Sequence, residues 1–214
     1  KWITSSESRQ DVQRMRAQSC AIISGAESVL FDNAKMNVRW SELGHVNKTY
    51  PKDKLRQPLR VVIDSQNRLS PDLAMFEYDS PILIINAHTE NKPDSNLENL
   101  PKWPHFVEHV RLPLVENNQG KLKIDLKALL LLLAQRGLND VLIESGAQLS
   151  GAFIEQGLVN ELILYQAPKL MGGEGKSLMA MPAITQLEQA KELNITDIRM
   201  VGSDIRITSQ LIQS

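Results

Sequence analysis

Residues 139–152 read N-D-V-L-I-E-S-G-A-Q-L-S-G-A. Val141, Leu142 and Ile143 form a short unbroken apolar run with β-branched members, which suits a strand buried on both faces. The run ends in Glu144. Ser145 and Gly146 follow, and Leu149, Ala152, Phe153 and Leu158 then recur at roughly helical spacing, with Gly157 as the expected helix end. A strand therefore passes through a glycine turn into a helix. Such a turn aims free backbone N–H groups and the positive end of a helix dipole at one spot, an arrangement that favours a phosphate or another anion. Two readings stand at this point: a cradle in which Gly146 lets a ligand approach the backbone, or the ordinary strand-to-helix step of an α/β protein. Glu144, a carboxylate at the carboxyl end of a strand, sits where open α/β sheets place their ligands and favours the first.

Outward from this stretch the chain keeps the same grammar. Residues 20–24 read as a strand, and Gly25 then opens a turn into a short helical piece at 26–32, a second glycine-led turn. Residues 60–64 and 81–87 are apolar runs of strand length, the first ending in the polar series Asp64-Ser65-Gln66-Asn67-Arg68. Residues 106–114 alternate enough for a weaker strand. Asp125 is a good cap for a helix at 126–136, whose leucines are apolar nearly all round and require cover on several sides, and Gly137 stops it. Residues 161–167 form another strand, and 195–201 with 205–211 flank Gly202-Ser203-Asp204 as an antiparallel hairpin. At the start, Ser5 or Ser6 caps a helix to about residue 17 with Val12, Met15 and Ile3 facing inward. The polar stretch 41–58 reads as a long surface loop, 89–104 as a second polar loop, and 168–182 as a glycine-rich loop. Alternating strands and helices with a terminal hairpin give an α/β domain around a mostly parallel sheet.

Composition narrows the function. With 24 basic and 25 acidic residues the formal net charge is −1, so no long-range field draws the chain to nucleic acid or anionic lipid, and an anionic ligand has to be held locally. The only cysteine, Cys20, excludes an internal disulfide and a cysteine zinc cluster, fits a cytoplasmic setting, and reads as a small core residue. The longest apolar run, residues 128–134, is far below the roughly 20 residues of a membrane helix. Tempting motifs fail. Gly175-Lys176-Ser177 lacks the earlier glycine of a phosphate-binding loop, because Leu170 stands there. His88-Thr89-Glu90 has no Pro-Cys-x-x-Cys to complete a zinc deaminase, and His45, His105 and His109 have no ligand spacing. No metal site is expected within these residues.

Taken in order, Trp2-Ile3-Thr4-Ser5, Arg16-Ala17-Gln18-Ser19, Gly25-x-x-Ser28-Val29-Leu30-x-Asp32, Arg39, Arg60-Val61-Val62-Ile63-Asp64-Ser65, Glu144-x-Gly146 and Ala167-Pro168-Lys169-Leu170-x-Gly172 resemble the reductase domain of the bifunctional riboflavin-biosynthesis deaminase/reductase. The resemblance spans nearly the whole chain, so residues 1–214 are expected to be one reductase domain. It implies a dihydrofolate-reductase-like fold and NADPH-dependent reduction of 5-amino-6-(5-phosphoribosylamino)uracil, whose ribosyl group becomes ribityl. It places Trp2, Ser28, Asp32, Ser65 and the turn of Gly146, Ala147, Gln148, Leu149, Ser150, Gly151 and Ala152 against NADPH. Arg16, Lys35, Arg39 and Glu144 are placed against the substrate, where arginine forks suit a sugar phosphate. Glu144 and Asp32 are the catalytic candidates, Glu144 by holding substrate and Asp32 by positioning or proton supply.

The chain departs from the family pattern in having Ser28 for threonine, Asp32-Asn33-Ala34 for Asp-Asp-Pro, and Glu144-Ser145-Gly146 for Glu-Gly-Gly. The family also begins upstream with a strand bearing a lysine and a Ser-Leu-Asp-Gly turn, preceded by a zinc deaminase domain. Both are expected in the natural polypeptide, with zinc confined to that deaminase, and residues 1–214 alone are not expected to be a self-sufficient enzyme. Exposed apolar strands in the late hairpin point to a homodimer. The rival functions are a related reductase of another pterin or pyrimidine on the same fold, and a module that binds NADPH without turnover.

Overall fold

The computed structural model of the protein describes residues 2–88 and 102–212. The polar loop expected at 89–104 and the triplet beginning at His88 thus fall largely outside the described residues. The chain divides into two compact units, one of residues 16–38 and 56–146, the other of residues 1–15, 39–55 and 147–214.

The first unit is built on a parallel sheet of β1 (Ala21–Gly25), β2 (Leu59–Ile63), β3 (Ile82–Ala87), β4 (Val107–Leu112) and β7 (Val141–Ile143), in the order β4-β3-β2-β1-β7. Ile22, Ile23, Val61, Val62, Leu83, Ile84 and Ile85 are all fully buried, as expected of a parallel sheet whose apolar residues point both ways. The order carries a functional consequence. From β1 the chain builds β2, β3 and β4 to one side, then returns to lay β7 on the other side of β1, so the topology reverses between β1 and β7. Such a reversal, at the strands' carboxyl ends, is the usual ligand position of sheets of this kind.

Several local expectations are corrected here. The strand at 141–143 is half-buried rather than fully buried, because among the described strands it pairs with β1 alone. The helix α3 (Leu126–Gln135) is capped by Asp125, whose carboxylate accepts the N–H groups of Lys127 and Ala128. It buries one stripe, Leu126, Leu129 and Leu133, while Leu131 stays 60% exposed, so cover on one side suffices. Cys20 is half-buried, not core. A small hairpin of β5 (Leu114–Glu116) and β6 (Leu122–Ile124) closes on Gly120 at φ 71°, a turn that was not anticipated.

The second unit contains an antiparallel sheet, β8 (Glu161–Gln166), β9 (Leu193–Val201) and β10 (Asp204–Leu211), ordered β8-β10-β9. The late hairpin is therefore present and gains a third strand. Most of α1 (Ser6–Gln18) belongs to this unit, capped by Ser5, whose Oγ accepts the Ser8 N–H at 3.2 Å. Its buried residues are Ser8 and Gln13 rather than Val12 and Met15, and Ile3 is 51% exposed. The reason is polar docking. Buried Asp204 on β10 accepts from the Ser8 hydroxyl at 2.6 Å and the Ser5 N–H at 2.7 Å, and Asp11 accepts from the Tyr165 hydroxyl at 2.5 Å and from Arg206 at 3.2 Å. Burial, then the bond to Asp11, pushes the Tyr165 hydroxyl well above its ordinary range, so it remains a donor. The helix α4 (Ala147–Glu155) ends as expected, with Gly157 at φ 66° donating to Ile154 O.

Candidate active site

Both glycine turns read from the sequence lie at the topological reversal of the parallel sheet. β1 ends in Gly25 and runs directly into α2 (Ala26–Asp32), and β7 ends one residue before Glu144. The register pairs Ala21 with Val141 and Ile23 with Ile143, and Glu144 N–H donates to Ile23 O at 2.9 Å. The two turns then meet: Gly146 N–H donates to the Ser28 hydroxyl at 3.0 Å. A Cβ on Gly146 would come within 3.1 Å of that hydroxyl, tight enough for Ser28 to have to give way. Gly146 thus brings its backbone against Ser28, a residue of the chain's other glycine turn.

Beside this contact Glu144 is fixed by Arg16 from the last turn of α1. Arg16 Nε reaches Oε2 at 2.7 Å, Nη2 reaches Oε1 at 2.5 Å, and Nη1 donates to Asn37 O at 3.0 Å. This is a bidentate pair with the arginine side chain 12% exposed and the glutamate 39%, the strong geometry for such a contact. The expectation that Arg16 presents its fork to a sugar phosphate meets a fork already filled by Glu144 and a backbone carbonyl. Arg39, in the other unit, behaves alike: Nη2 donates to Glu42 Oε2 at 2.7 Å, Nε stands 2.7 Å from Oε1, and its backbone N–H donates to Gln13.

Asp32 closes α2 and is exposed, followed by Asn33 in the left-handed region at φ 45°. A carboxylate at a helix C-terminus faces the negative end of the dipole, so helix stability does not account for it. Lys35 pairs through Nζ with Glu77 Oε2 at 2.8 Å, both side chains largely exposed. Ser65 lies in the turn after β2. That turn is braced by Asp64, whose buried carboxylate accepts the N–H groups of Arg68 and Leu69 at 3.0 and 2.9 Å. Asn67, at φ 54°, is held by Asn86 at 2.6 Å, and Asn86 by His109 at 2.9 Å. Burial keeps the His109 imidazole below its usual range. Ser65 and Arg68 are left exposed on a rigid turn.

In the second unit Trp2 is 70% exposed, with the Arg9 guanidinium 5.0 Å from its ring centroid. Residues 147–152 are the first turns of α4. Ala147 O accepts the Ala180 N–H at 3.0 Å, and Gly151 faces the Ala180 backbone so closely that a Cβ would lie 2.3 Å from its carbonyl oxygen. Gly151 is therefore a packing glycine for the chain's own loop. Glu77 and the Asn67–Asn86–His109 chain are isolated polar residues without a local signal of their contacts, and Arg60, present in a family motif, carries no local signal of its burial. Among the described residues no group of three or more His, Cys, Asp or Glu is placed to hold a metal ion.

The model of the RibD C-terminal domain family matches residues 1–207. The chain is 38% identical over 205 residues to the riboflavin biosynthesis protein RibD of Escherichia coli, covering 95% of this chain and 52% of that protein. It is 34% identical over 208 residues to the 5-amino-6-(5-phosphoribosylamino)uracil reductase of Buchnera aphidicola subsp. Acyrthosiphon pisum, covering 97% of this chain and 94% of that one. Among solved structures, RibD of Acinetobacter baumannii superposes with a TM-score of 0.79 at 29% identity, over 100% of this chain and 52% of that one. The chain thus spans about half the length of the RibD proteins it matches and nearly all of the stand-alone reductase. A parallel sheet reversing between β1 and β7, an antiparallel three-stranded sheet after it, and a family match along almost the full length leave one assignment: the chain belongs to the RibD C-terminal domain family.

Proposed function

We propose that these residues carry the NADPH-dependent reduction of the ribosyl group of 5-amino-6-(5-phosphoribosylamino)uracil to ribityl, as one reductase domain working in the cytoplasm. The observation that carries this reading is the meeting of Ser28 with Gly146 beside the Arg16–Glu144 pair, at the carboxyl ends of β1 and β7. The residues present fit a dinucleotide. Gly146 adds no side chain of its own where the turn meets the Ser28 hydroxyl, the first amides of α4 suit a phosphate, and the turn of Ser65 and Arg68 offers a hydroxyl and a cation that makes no side-chain bond among the described residues. Trp2, Ser28, Asp32, Ser65, Gly146 and residues 147–152 are the proposed cofactor residues. Arg16, Lys35, Arg39 and Glu144 are those of the substrate. When bound, the nicotinamide supplies hydride, and the protein's task is alignment. Glu144, locked by Arg16, holds sugar hydroxyls, and Asp32 positions the reactants or hands over a proton. Zinc has no part in this half and is assigned to a deaminase domain outside these residues.

The test follows oxidation of NADPH and of NADH by the full-length protein and its Arg68→Ala variant. Turnover should require the phosphoribosylaminopyrimidine. Arg68→Ala should lower the preference for NADPH about 10-fold or more, the value of one charged hydrogen bond to the extra phosphate. Tight NADPH binding with no turnover would leave a sensor module instead. An unchanged NADPH to NADH ratio would remove Arg68 from the cofactor site.

We also propose that the protein is a homodimer through the late hairpin. A bulge shifts the register between Thr208 and Ser209, so that Leu193, Ile195, Ile198 and Met200 share one face of β9. They are 44%, 54%, 61% and 63% exposed, a contiguous apolar surface of the kind that marks association. Replacing Ile198 and Met200 together by Lys should yield monomers in sedimentation velocity, and an unaltered mass would disprove this interface.

A further inference from the structure

Arg60 is the largest fully buried side chain among the described residues, and it lies in β2 with no carboxylate partner among them. Its two terminal nitrogens donate only to backbone carbonyls, while the buried Nε has no partner among the described residues. Nη1 donates to Lys35 O at 3.1 Å and to Met75 O, and Nη2 donates to Tyr78 O at 3.0 Å and Ser80 O at 2.7 Å. Burial lowers its pKa to about 10, so it remains charged at neutral pH. A buried cation is costly, and an apolar residue would serve an ordinary strand better, so the function of the four bonds lies in what they join. One is the loop leading to Lys35, in which Asn33 and Met36 stand in the left-handed region at φ 45° and 53°. Such backbone persists only where its surroundings enforce it. The other is the turn at 75–80, which carries Glu77, the partner of the Lys35 ammonium at 2.8 Å. Asn33 Oδ1, accepting the Ala74 N–H at 2.9 Å, is a second tie between the same two segments.

We infer that Arg60 is a positioning residue for Lys35, fixing in one place the strained loop that carries the lysine and the turn that carries its partner Glu77. The inference rests on the proposed role of Lys35 at the substrate. Lysine at position 60 cannot replace the planar fork, because its three donors radiate from one nitrogen and cannot span four carbonyls. The loop is then free to relax, and the Lys35 ammonium loses its fixed place.

The experiment is a double-mutant cycle of Arg60→Lys and Lys35→Ala in the full-length protein, reading KM for the phosphoribosyl substrate, kcat, and NADPH affinity. Arg60→Lys should raise substrate KM about 10-fold with NADPH affinity unchanged, and should add nothing once Lys35 is alanine. If Lys35→Ala raises KM and Arg60→Lys adds its full effect on top, Arg60 acts on the fold alone and the inference is overturned. If Lys35→Ala changes nothing, the substrate role of Lys35 fails first and the inference falls with it. Should Arg60→Lys not fold, hydrogen exchange of the wild type decides. Ribose 5-phosphate should slow the amides of Val38 and of Phe76 and Glu77 together, and protection of one segment without the other, or of neither, overturns the inference.

Discussion

Glu144→Gln is expected to lower kcat/KM for the phosphoribosyl substrate by about 10- to 150-fold, the roughly 1.5–3 kcal/mol of a hydrogen bond to a charged group. The side chains are nearly isosteric, and the Glu144 N–H to Ile23 O bond that sets the end of β7 is untouched. The packing of the strand end should therefore hold, and Tm should fall only modestly, by what opening a pair with a 39% exposed glutamate costs. NADPH affinity should hold as well, because the contact of Gly146 with Ser28 uses no atom of the glutamate. The amide keeps one acceptor for Arg16 but turns a donor toward the other arm of the guanidinium, so the bidentate pair opens and the side chain loses its fixed direction. Loss is thus expected in the substrate terms and not in the cofactor terms. Steady-state kinetics with each component varied in turn checks this. Equal kcat/KM for variant and wild type would leave Glu144 as a solvated strand end, tied down by Arg16 for structural reasons only.

The parallel sheet was legible because its signal is redundant. Ile22-Ile23, Val61-Val62-Ile63 and Ile82-Leu83-Ile84-Ile85 are apolar and β-branched runs too short for helices, each followed by a polar residue, and all three are central strands. Burial departs from the local pattern where it depends on partners that the pattern does not identify. Val141-Leu142-Ile143 has the same composition as a central strand, but its place in the order leaves one side unpaired among the described strands. In α1 the apolar periodicity pointed to Val12 and Met15, whereas the buried side chains are Ser8 and Gln13, satisfied by Asp204 and the Arg39 N–H. Polar burial of this kind is invisible until the acceptor is known.

The site residues divide in the same way. Glu144 and Gly146 can be picked out because strand, glycine and helix follow one another along the chain, whereas Ser28 is marked by the resemblance alone, and the fold brings Ser28 and Gly146 into contact. Arg16 was picked out by resemblance, yet its partner, Glu144, lies more than a hundred residues away in sequence, and no local pattern reveals that its fork is filled. Arg60 is the extreme case. In sequence it is the first polar residue of an apolar strand, indistinguishable from an edge or solvent position, and only the tertiary structure shows its four backbone acceptors.

Gly151→Ala is expected to destabilise the protein or to expel the loop around Ala180 from the face of α4. Helix propensity argues the opposite, since an interior alanine is favoured over glycine by roughly 0.8–1 kcal/mol. The geometry decides between them. A Cβ at residue 151 would lie 2.3 Å from Ala180 O, 2.8 Å from its carbonyl carbon and 3.1 Å from its nitrogen, all main-chain atoms, so no rotamer change relieves the overlap. Forcing backbone aside in a packed region costs about 1–3 kcal/mol, and here it also removes the bond from Ala180 N–H to Ala147 O. The net expectation is a loss of about 1–2 kcal/mol, read as a lower Tm, together with faster proteolysis within residues 168–182. Gly146→Ala supplies the contrast, because its Cβ would meet only the end of the Ser28 side chain, at 3.1 Å. That substitution should leave Tm nearly unchanged and instead weaken NADPH binding by crowding the turn. A Gly151→Ala protein as stable as the wild type, with the loop no easier to cleave, would mean that Ala180 does not rest on α4.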